Sequence, residues 1–300
     1  MAEKSYMEEM VSVLVPVYNR VDFIIDALES VYCQTYQNFE IIVVDDGSND
    51  GSFELLEKEN KKGKIKLFTH PNRVNKGQSA SLNLALEKAS GRYIAILDSD
   101  DIIEPEKLML QVDVLKTRKT VGLVYGNGIA IDENGEYLYD LPSKYEEDPS
   151  DPNEVLLDCY LHLPLSCLVR AEIFDKVGGF NETYRASQDH DMLIRISEIT
   201  EFYKIKQQVY RYRQHANTIS KQGLYTRWTT GFKILDEAAS RFPYKKSTLR
   251  KRRAVLNYRM FEVYRMDPKH KNAIKAFCSL LNAFVLDPSR SISEIRKKLF

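Results

Sequence analysis

The first half of the chain alternates between short apolar runs and amphipathic stretches. Val11-Ser-Val-Leu-Val15 is a β-branched run that predicts a first strand, and Glu40-Ile-Ile-Val-Val-Asp45 predicts a second. Ile65 to Phe68, Tyr93 to Leu97 and Val121 to Tyr125 predict three more. Between them Ile24, Leu28 and Val31 recur at helical spacing, and Phe53 to Asn60 also reads as a helix. Gln78 to Ala89 carries Leu82 and Leu86 on one helical face, with Gly91 past its end as a stop signal. Pro105 suits the first turn of a further helix. This βαβα order predicts an α/β fold with a mostly parallel sheet and helices on both faces.

The pattern then loosens. Ile129 to Tyr139 reads as a hairpin around Asn134-Gly135. The polar, proline-bearing stretch from Pro142 to Pro152 reads as a mobile loop. Ser166 to Arg170 predicts a short strand, a helix begins near Asp189, and strand patterns return at Phe202 to Ile205 and Val209 to Tyr212. Beyond about Gly223 the pattern is helical throughout, and Asp267-Pro268 and Asp287-Pro288 fall between helices. A main domain over 1–221 and a helical region over 222–300 are expected.

Composition narrows the function classes. Lys plus Arg equals Asp plus Glu, 43 each, so bulk charge gives no pointer to nucleic acid. Cys33, Cys159, Cys167 and Cys278 lack metal-ligand spacing, and the apolar surroundings of Cys33 and Cys167 predict buried, reduced thiols. Reduced thiols, no signal-peptide pattern and no apolar run near the roughly 20 residues that cross a bilayer point to a cytoplasmic protein, at most peripheral to the inner face of a membrane.

Tyr93-Ile-Ala-Ile-Leu-Asp-Ser-Asp-Asp101 concentrates the candidate chemistry, because a buried strand runs straight into three aspartates. Crowded carboxylates are costly unless a cation lies between them, and open α/β sheets bind ligands at the carboxyl ends of their strands. A hard divalent cation, holding a phosphate, is the expected occupant. A calcium loop fails, since Ile103 and Met109 stand where a glycine and a glutamate are needed. Helix capping accounts for Asp101 alone. The first strand ends in Pro16-Val-Tyr-Asn19, with neither a dinucleotide-binding glycine pattern nor a P-loop. The second ends in Asp45-Asp46-Gly47-Ser48, which suits either a turn or an acceptor for a base or ribose donor. Asn75-Lys-Gly77 suits a helix start or a close backbone approach to a nucleotide. In Gln188-Asp-His-Asp191 an aspartate either caps a helix or serves as a general base. Arg211-Tyr-Arg-Gln-His215 places His215 beside Arg213, as a structural histidine or a phosphate or metal contact.

Taken in order, Val15-Pro-Val-Tyr-Asn19, Glu40 to Ser48, Asn75-Lys-Gly77, Leu97 to Asp101, Val177 to Glu182 and Gln188 to Arg195 resemble the family 2 glycosyltransferases of GT-A fold, over roughly residues 10 to 220. The resemblance implies inverting transfer of a sugar from a nucleotide-diphospho-sugar, usually UDP-linked, to a carbohydrate or lipid-linked glycan acceptor. It divides the main domain into a nucleotide-sugar half, about 10–126, and an acceptor half, about 127–221. It implies that Asp98 faces the ribose and Asp100 ligates Mg²⁺ or Mn²⁺, with Asp101 a further candidate ligand. Pro16, Tyr18, Asn19, Asp46, Asn75 and Gly77 fall at donor-binding motifs, with Tyr18 and Asp46 at the nucleobase. Asp189 matches the base that deprotonates the acceptor, while Arg213 and His215 match a late basic motif at the diphosphate.

Some positions depart from the family pattern. Gln188 stands where Glu is frequent, Leu82 where Arg is frequent and Asn181 where Asp is frequent. The single tryptophan, Trp228, lacks the context of the processive synthases, so single addition is expected. The alternatives are a nucleotide-sugar-binding protein without catalysis and a nucleotidyltransferase-like protein, although Val17-Tyr-Asn-Arg-Val21 lacks the glycine-rich loop of the latter. The cluster Arg241, Lys245, Lys246, Arg250, Lys251, Arg252 and Arg253 suits a solvated helix face or an anionic membrane surface.

Overall fold

The computed structural model describes residues 6–141, 150–157, 165–215 and 223–299, with 294–299 described by backbone alone. Strands β1 (Met7–Val17), β2 (Phe39–Asp45), β3 (Lys66–Thr69) and β4 (Gly91–Ile96) alternate with helices α1 (Ile24–Tyr32), α2 (Ser52–Lys61) and α3 (Gln78–Lys88). Then come β5 (Ile102–Ile103), α4 (Lys107–Thr117), β6 (Val121–Ile131), β7 (Tyr137–Leu141), α5 (Pro152–Leu157), β8 (Leu168–Arg170), α6 (Ala171–Val177), α7 (Gln188–Ser197) and β9 (Glu201–Arg213). Four helices close the chain: α8 (Leu224–Arg241), α9 (Lys246–Met266), α10 (Ala273–Leu286) and α11 (Pro288–Leu299).

Two compact units emerge. One holds Met1–Ser150, Tyr160–Thr183 and Ile199–Ala216, and the other holds Asp151–Cys159, Tyr184–Glu198 and Asn217–Phe300. Every described strand lies in the first unit. The second is helical, and it takes α5 and α7 out of the stretch expected to form one domain up to 221. A division of the main domain at 126/127 also falls inside β6, which runs unbroken from Val121 to Ile131.

In the first unit the strand order is β3-β2-β1-β4-β8-β6-β9-β5, with β7 paired to β6. The β3-β2-β1-β4 half is parallel. Beyond it β8 is antiparallel to both β4 and β6, whereas β6 and β9 are parallel. Alternation along β1 sends Val11, Val13, Val15 and Val17 into one cluster with Ile24, Leu28 and Val31 of α1 and Leu108, Val112 and Leu115 of α4. Leu14, Ile42 and Ile94 are buried on the opposite face. Each such side chain contributes about 1.5–3 kcal/mol on burial, so strands apolar on both faces are favoured in the interior of the sheet.

Differences from the sequence reading have local causes. The two strands expected at 202–205 and 209–212 form one strand, β9, in which Lys206, Gln207 and Gln208 are exposed. Gly91 does not end α3. It opens β4, where a Cβ would press on the Met10 carbonyl and the Ser12 amide of β1. Cys33 is exposed, while Cys167 is buried as expected. Cys159 and most of the loop expected from 142 to 152 lie outside the described residues.

In the second unit α9 is the central helix, with Ala254, Leu256, Tyr258, Met260 and Val263 buried. Gly231 of α8 lies against Leu256, where a Cβ would crowd the leucine methyl. Among the described residues no helix is long and apolar enough to cross a membrane.

Candidate active site

The carboxyl ends of β1, β2 and β4 bring the first motifs together. Asp46, buried just past β2, accepts the backbone N–H of Lys76 at 2.7 Å and of Gly77 at 2.8 Å. It thereby clamps the Asn75-Lys-Gly77 turn to the sheet. Buried His70 adds to the clamp, with Nε2 3.1 Å from Ser81 Oγ and 3.6 Å from Asp46 Oδ1. Asp45 Oδ2 accepts from the amides of Gly47 and Ser48 at 3.1 and 3.2 Å, so the turn reading of this motif holds. Gly47 has φ +81°, and a Cβ there would drive into the Arg73 carbonyl oxygen and crowd the Asn75 amide. Only glycine lets the two loops meet so closely.

Residues after β1 brace the neighbouring loop. Asn19, at φ +51°, accepts the Asn49 amide on Oδ1 at 2.9 Å, and its own amide donates to Ser48 Oγ at 3.0 Å. Pro16 is buried within β1, in register with Val44, whereas Tyr18 is 45% exposed and its ring faces solvent. Asn75 is exposed.

At the end of β4 the three aspartates separate by role. Asp98 is half-buried and accepts from Gln78 Nε2 at 2.8 Å. Asp100 Oδ2 receives Arg20 Nε at 3.0 Å and lies 3.0 Å from His215 Nε2. Asp101 is buried and accepts the Arg213 amide at 2.7 Å. The capping role considered for Asp101 is not observed, since α4 has no side-chain cap. Burial, followed by the charges of Asp100 and Asp98, drives the Asp101 carboxyl well above the usual carboxylate range.

Arg213 is 3% exposed and holds several elements at once. Its Nε donates to the Asp100 carbonyl at 3.0 Å, one terminal nitrogen to the Glu133 carbonyl at 2.8 Å, and the other to Asp26 at 3.3 Å. Its guanidinium lies over the Phe23 ring at 5.2 Å, and the same ring packs against His215 at 4.8 Å. With three nitrogens engaged by the protein, Arg213 is a buttress here. The cation beside the acidic motif is Arg20, which sequence reasoning missed together with Gln78, His70, Phe23 and Asp26. Arg20 and Gln78 each directly follow a motif that was singled out, and that adjacency was the available signal.

The acidic turn at α7 belongs to the helical unit. Its N-cap is Ser187 at φ +62°, with no side-chain cap, so neither aspartate acts as the cap. Asp191 is buried and pairs with Arg195 one turn on at 2.7 Å. Burial pushes the Asp189 carboxyl up, opposed by a backbone hydrogen bond and the nearby Arg227. Burial likewise holds His190 well below its usual value, reinforced by Arg252 and Arg227. His190 Nδ1 lies 3.3 Å from Arg252, and its Nε2 is buried without a hydrogen-bond partner among the described residues.

Among the described residues no three His, Cys, Asp or Glu side chains converge on one point as a ready-made metal centre. The chemistry of Asp98 and Asp100 nevertheless fits a hard cation. Both are half-buried oxygen donors that close the same short loop, and carboxylate oxygens are the ligands a hard cation takes. Asp101 is turned inward onto Arg213, and His215 sits on Asp100.

A parallel sheet half whose strand ends carry acidic loops defines an α/β protein with its candidate ligand site at those ends. Residues 12–177 match the family described as Glycosyl transferase family 2, and the chain belongs to that family. An uncharacterized glycosyltransferase of Methanocaldococcus jannaschii is 31% identical over 228 residues, covering 73% of this chain and 78% of that protein. Chondroitin synthase of Escherichia coli is 28% identical over 245 residues, 79% of this chain and 34% of that protein. The chain spans about a third of the length of the glycosyltransferases of Rickettsia bellii and Rickettsia felis that it matches, 31% and 32%. In fold it is similar to Staphylococcus aureus TarS 1–349 in complex with UDP-GlcNAc, with a TM-score of 0.71, 19% identity, and coverage of 94% of this chain and 82% of that one. Mannosyltransferase PcManGT of Pyrobaculum calidifontis, in complex with GDP-Man and Mn²⁺, gives 0.61 at 18% identity, covering 96% and 79%. The GT-A fold expected from the motifs is thus the fold observed.

Proposed function

We propose that the chain is an inverting glycosyltransferase that moves a sugar from a nucleotide-diphospho-sugar, UDP-linked, to an acceptor hydroxyl in glycan or polysaccharide assembly. The observation that carries this reading is the clamp of Asp46 on the Lys76 and Gly77 amides, with only β1 between its strand and the one that ends in Asp98 and Asp100. It supports a base site beside Tyr18 and Asp46, and a ribose and diphosphate site beside Asp98, Asp100, Arg20 and His215. The family relatives and the nucleotide-sugar complexes of the fold neighbours support the donor class.

In the proposed reaction Asp189 accepts the proton of the acceptor hydroxyl as that oxygen attacks the anomeric carbon. The new C–O bond forms as the bond to the diphosphate oxygen breaks, and the nucleoside diphosphate departs from the opposite face, inverting the centre. Mn²⁺ or Mg²⁺ held by Asp98 and Asp100 would offset the charge of the departing diphosphate. Arg20 adds positive charge beside Asp100, His215 lies 3.0 Å from the same carboxylate, and Arg213 fixes the loop that carries it. Orientation of donor and acceptor contributes much of the rest of the acceleration.

The test is a panel of nucleotide-diphospho-sugars incubated with the chain, with Mn²⁺ or Mg²⁺ and glycan acceptors. Metal-dependent nucleotide release from one donor is expected. No release from any donor would sink the proposal.

A further inference from the structure

Helix α10 seats itself on the rest of the helical unit through small residues, with Ala276 and Ala283 its buried positions. At about 100° per residue, Ile274, Phe277, Cys278, Leu281, Phe284 and Val285 form a stripe roughly 120° wide on the opposite side. That stripe lies in water: Ile274 is 77% exposed, Phe277 67%, Leu281 50%, Phe284 44% and Val285 68%. Met266 at the end of α9 and Ile292 in α11 add exposed apolar side chains at 66% and 41%. Scattered exposed leucines need no explanation, but a continuous helical stripe of this kind marks an interaction surface.

Charge identifies the partner. From Pro268 to Leu286 the sequence has Lys269, Lys271 and Lys275 and no acid, and all three lysines are exposed. Asp267 and Asp287 bound this segment, but each is engaged. Asp267 holds His270 and the Lys269 amide, and buried Asp287 accepts from Ser289 and the Arg290 amide at the start of α11. The surrounding region shares the sign. Residues 222–300 hold 18 Lys and Arg against 6 Asp and Glu, which leaves 25 against 37 in residues 1–221. A chain of zero net charge therefore concentrates its positive charge in the region that also bares the stripe.

The basic cluster at 241–253 is a weaker candidate for the same contact, because four of its seven members are engaged. Arg241 pairs with Glu198 at 2.6 Å, Lys245 with Asp151 at 3.4 Å and Arg253 with Asp236, while Arg252 is buried against the Leu157 carbonyl. Lys246, Arg250 and Lys251 are exposed and add to the positive field.

We infer that the α10 stripe docks on an anionic lipid surface, with Ile274, Phe277, Leu281 and Val285 at the acyl boundary and Lys269, Lys271 and Lys275 among the headgroup phosphates. A helix of 14 residues with one apolar side lies in the interface and does not span it. A second copy of the chain fits less well, since pairing two stripes would gather the lysines of both copies with no acid on either segment to meet them. Anionic headgroups supply that countercharge. The contact places the chain where lipid-linked acceptors reside, but its test does not depend on the transfer reaction.

The full chain is co-sedimented with vesicles of phosphatidylcholine alone and of phosphatidylcholine with phosphatidylglycerol, at low and high salt. Wild type is expected to pellet with the anionic vesicles. F277E/L281E should lose at least about tenfold in partition with an unchanged thermal midpoint, because both side chains already face water. K271E/K275E, which leaves the apolar stripe intact, should lose about tenfold at low salt and less at high salt. No preference for anionic vesicles, or partition of both variants equal to wild type, overturns the inference. So does a lipid-free dimer in sedimentation velocity that F277E/L281E converts to monomer, which would assign the stripe to a second copy.

Discussion

The buried carboxylate of Asp101 accepts the backbone N–H of Arg213 at 2.7 Å, tying the loop after β4 to the end of β9. Asp101→Ala leaves that buried amide without its acceptor and should cost about 1–3 kcal/mol in urea denaturation. Asp101→Asn keeps an acceptor and removes a charge crowded by Asp98 and Asp100, so it should cost less. An equal loss in both variants would mean that the charge, and not the hydrogen bond, is what the fold uses.

Asp46→Asn presents one acceptor oxygen where two amides, of Lys76 and Gly77, now find one each. Hydrogen bonds to a charged acceptor are worth about 1.5–3 kcal/mol, so UDP affinity should fall at least about tenfold by calorimetry. Lys76→Ala keeps its backbone amide and should bind UDP within a fewfold of wild type. A larger loss in Lys76→Ala would transfer the role to its side chain.

Lys107 is fully buried in α4, donating to Gln111 Oε1 at 2.6 Å and to the Cys167 carbonyl at 3.2 Å. Burial lowers its pKa from 10.5 to about 7. Between those values the unfolded chain holds more protons than the native one, so this group makes stability rise with pH across that window. Relative to Lys107→Met, wild type should gain at most about 1.4 kcal/mol per pH unit there and nothing below it. Parallel profiles for the two proteins would show that the lysine stays charged inside the fold.

Asp189→Asn should reduce transfer by about 10²–10⁴-fold while UDP binding stays within a fewfold of wild type. Because burial raises the Asp189 carboxyl, and a base must be ionised, the acid limb of kcat should lie above the ordinary aspartate range. Loss of UDP binding in this variant would show that Asp189 has a different role.

Much of the fold can be read from the sequence where apolar periodicity is uninterrupted. β1, β2, β4 and α1 to α3 fall within a residue or a few of their expected bounds, because β-branched runs and i, i+4 leucines allow few other structures. β9 reads as two strands because Lys206 to Gln208 look like a break; the strand continues through them, with exposed side chains and a register shift against β6 between Tyr125 and Asn127. β5, two residues long, has no periodicity to read. The acidic motifs were legible as positions, while their partners were not. Nothing local reveals that Arg20 reaches Asp100, 80 residues on, or that Arg213 closes on Asp26 across 187. The grouping of α7 with the C-terminal helices is equally invisible, since it depends on which buried surfaces meet.

The buttress formed by Arg213 also sets the order in which the molecule can be assembled. Its contacts reach back to Asp26, Asp100 and Glu133, so the loop that carries the acidic motif is closed only by a residue made long after it. Chains grow at about 5–20 residues per second, and contacts of long sequence separation form late because loop closure must come first. A nascent chain can therefore complete the β3-β2-β1-β4 half well before it holds Asp100 in place. Competence to bind donor should consequently appear late in synthesis, after β9 has left the ribosome.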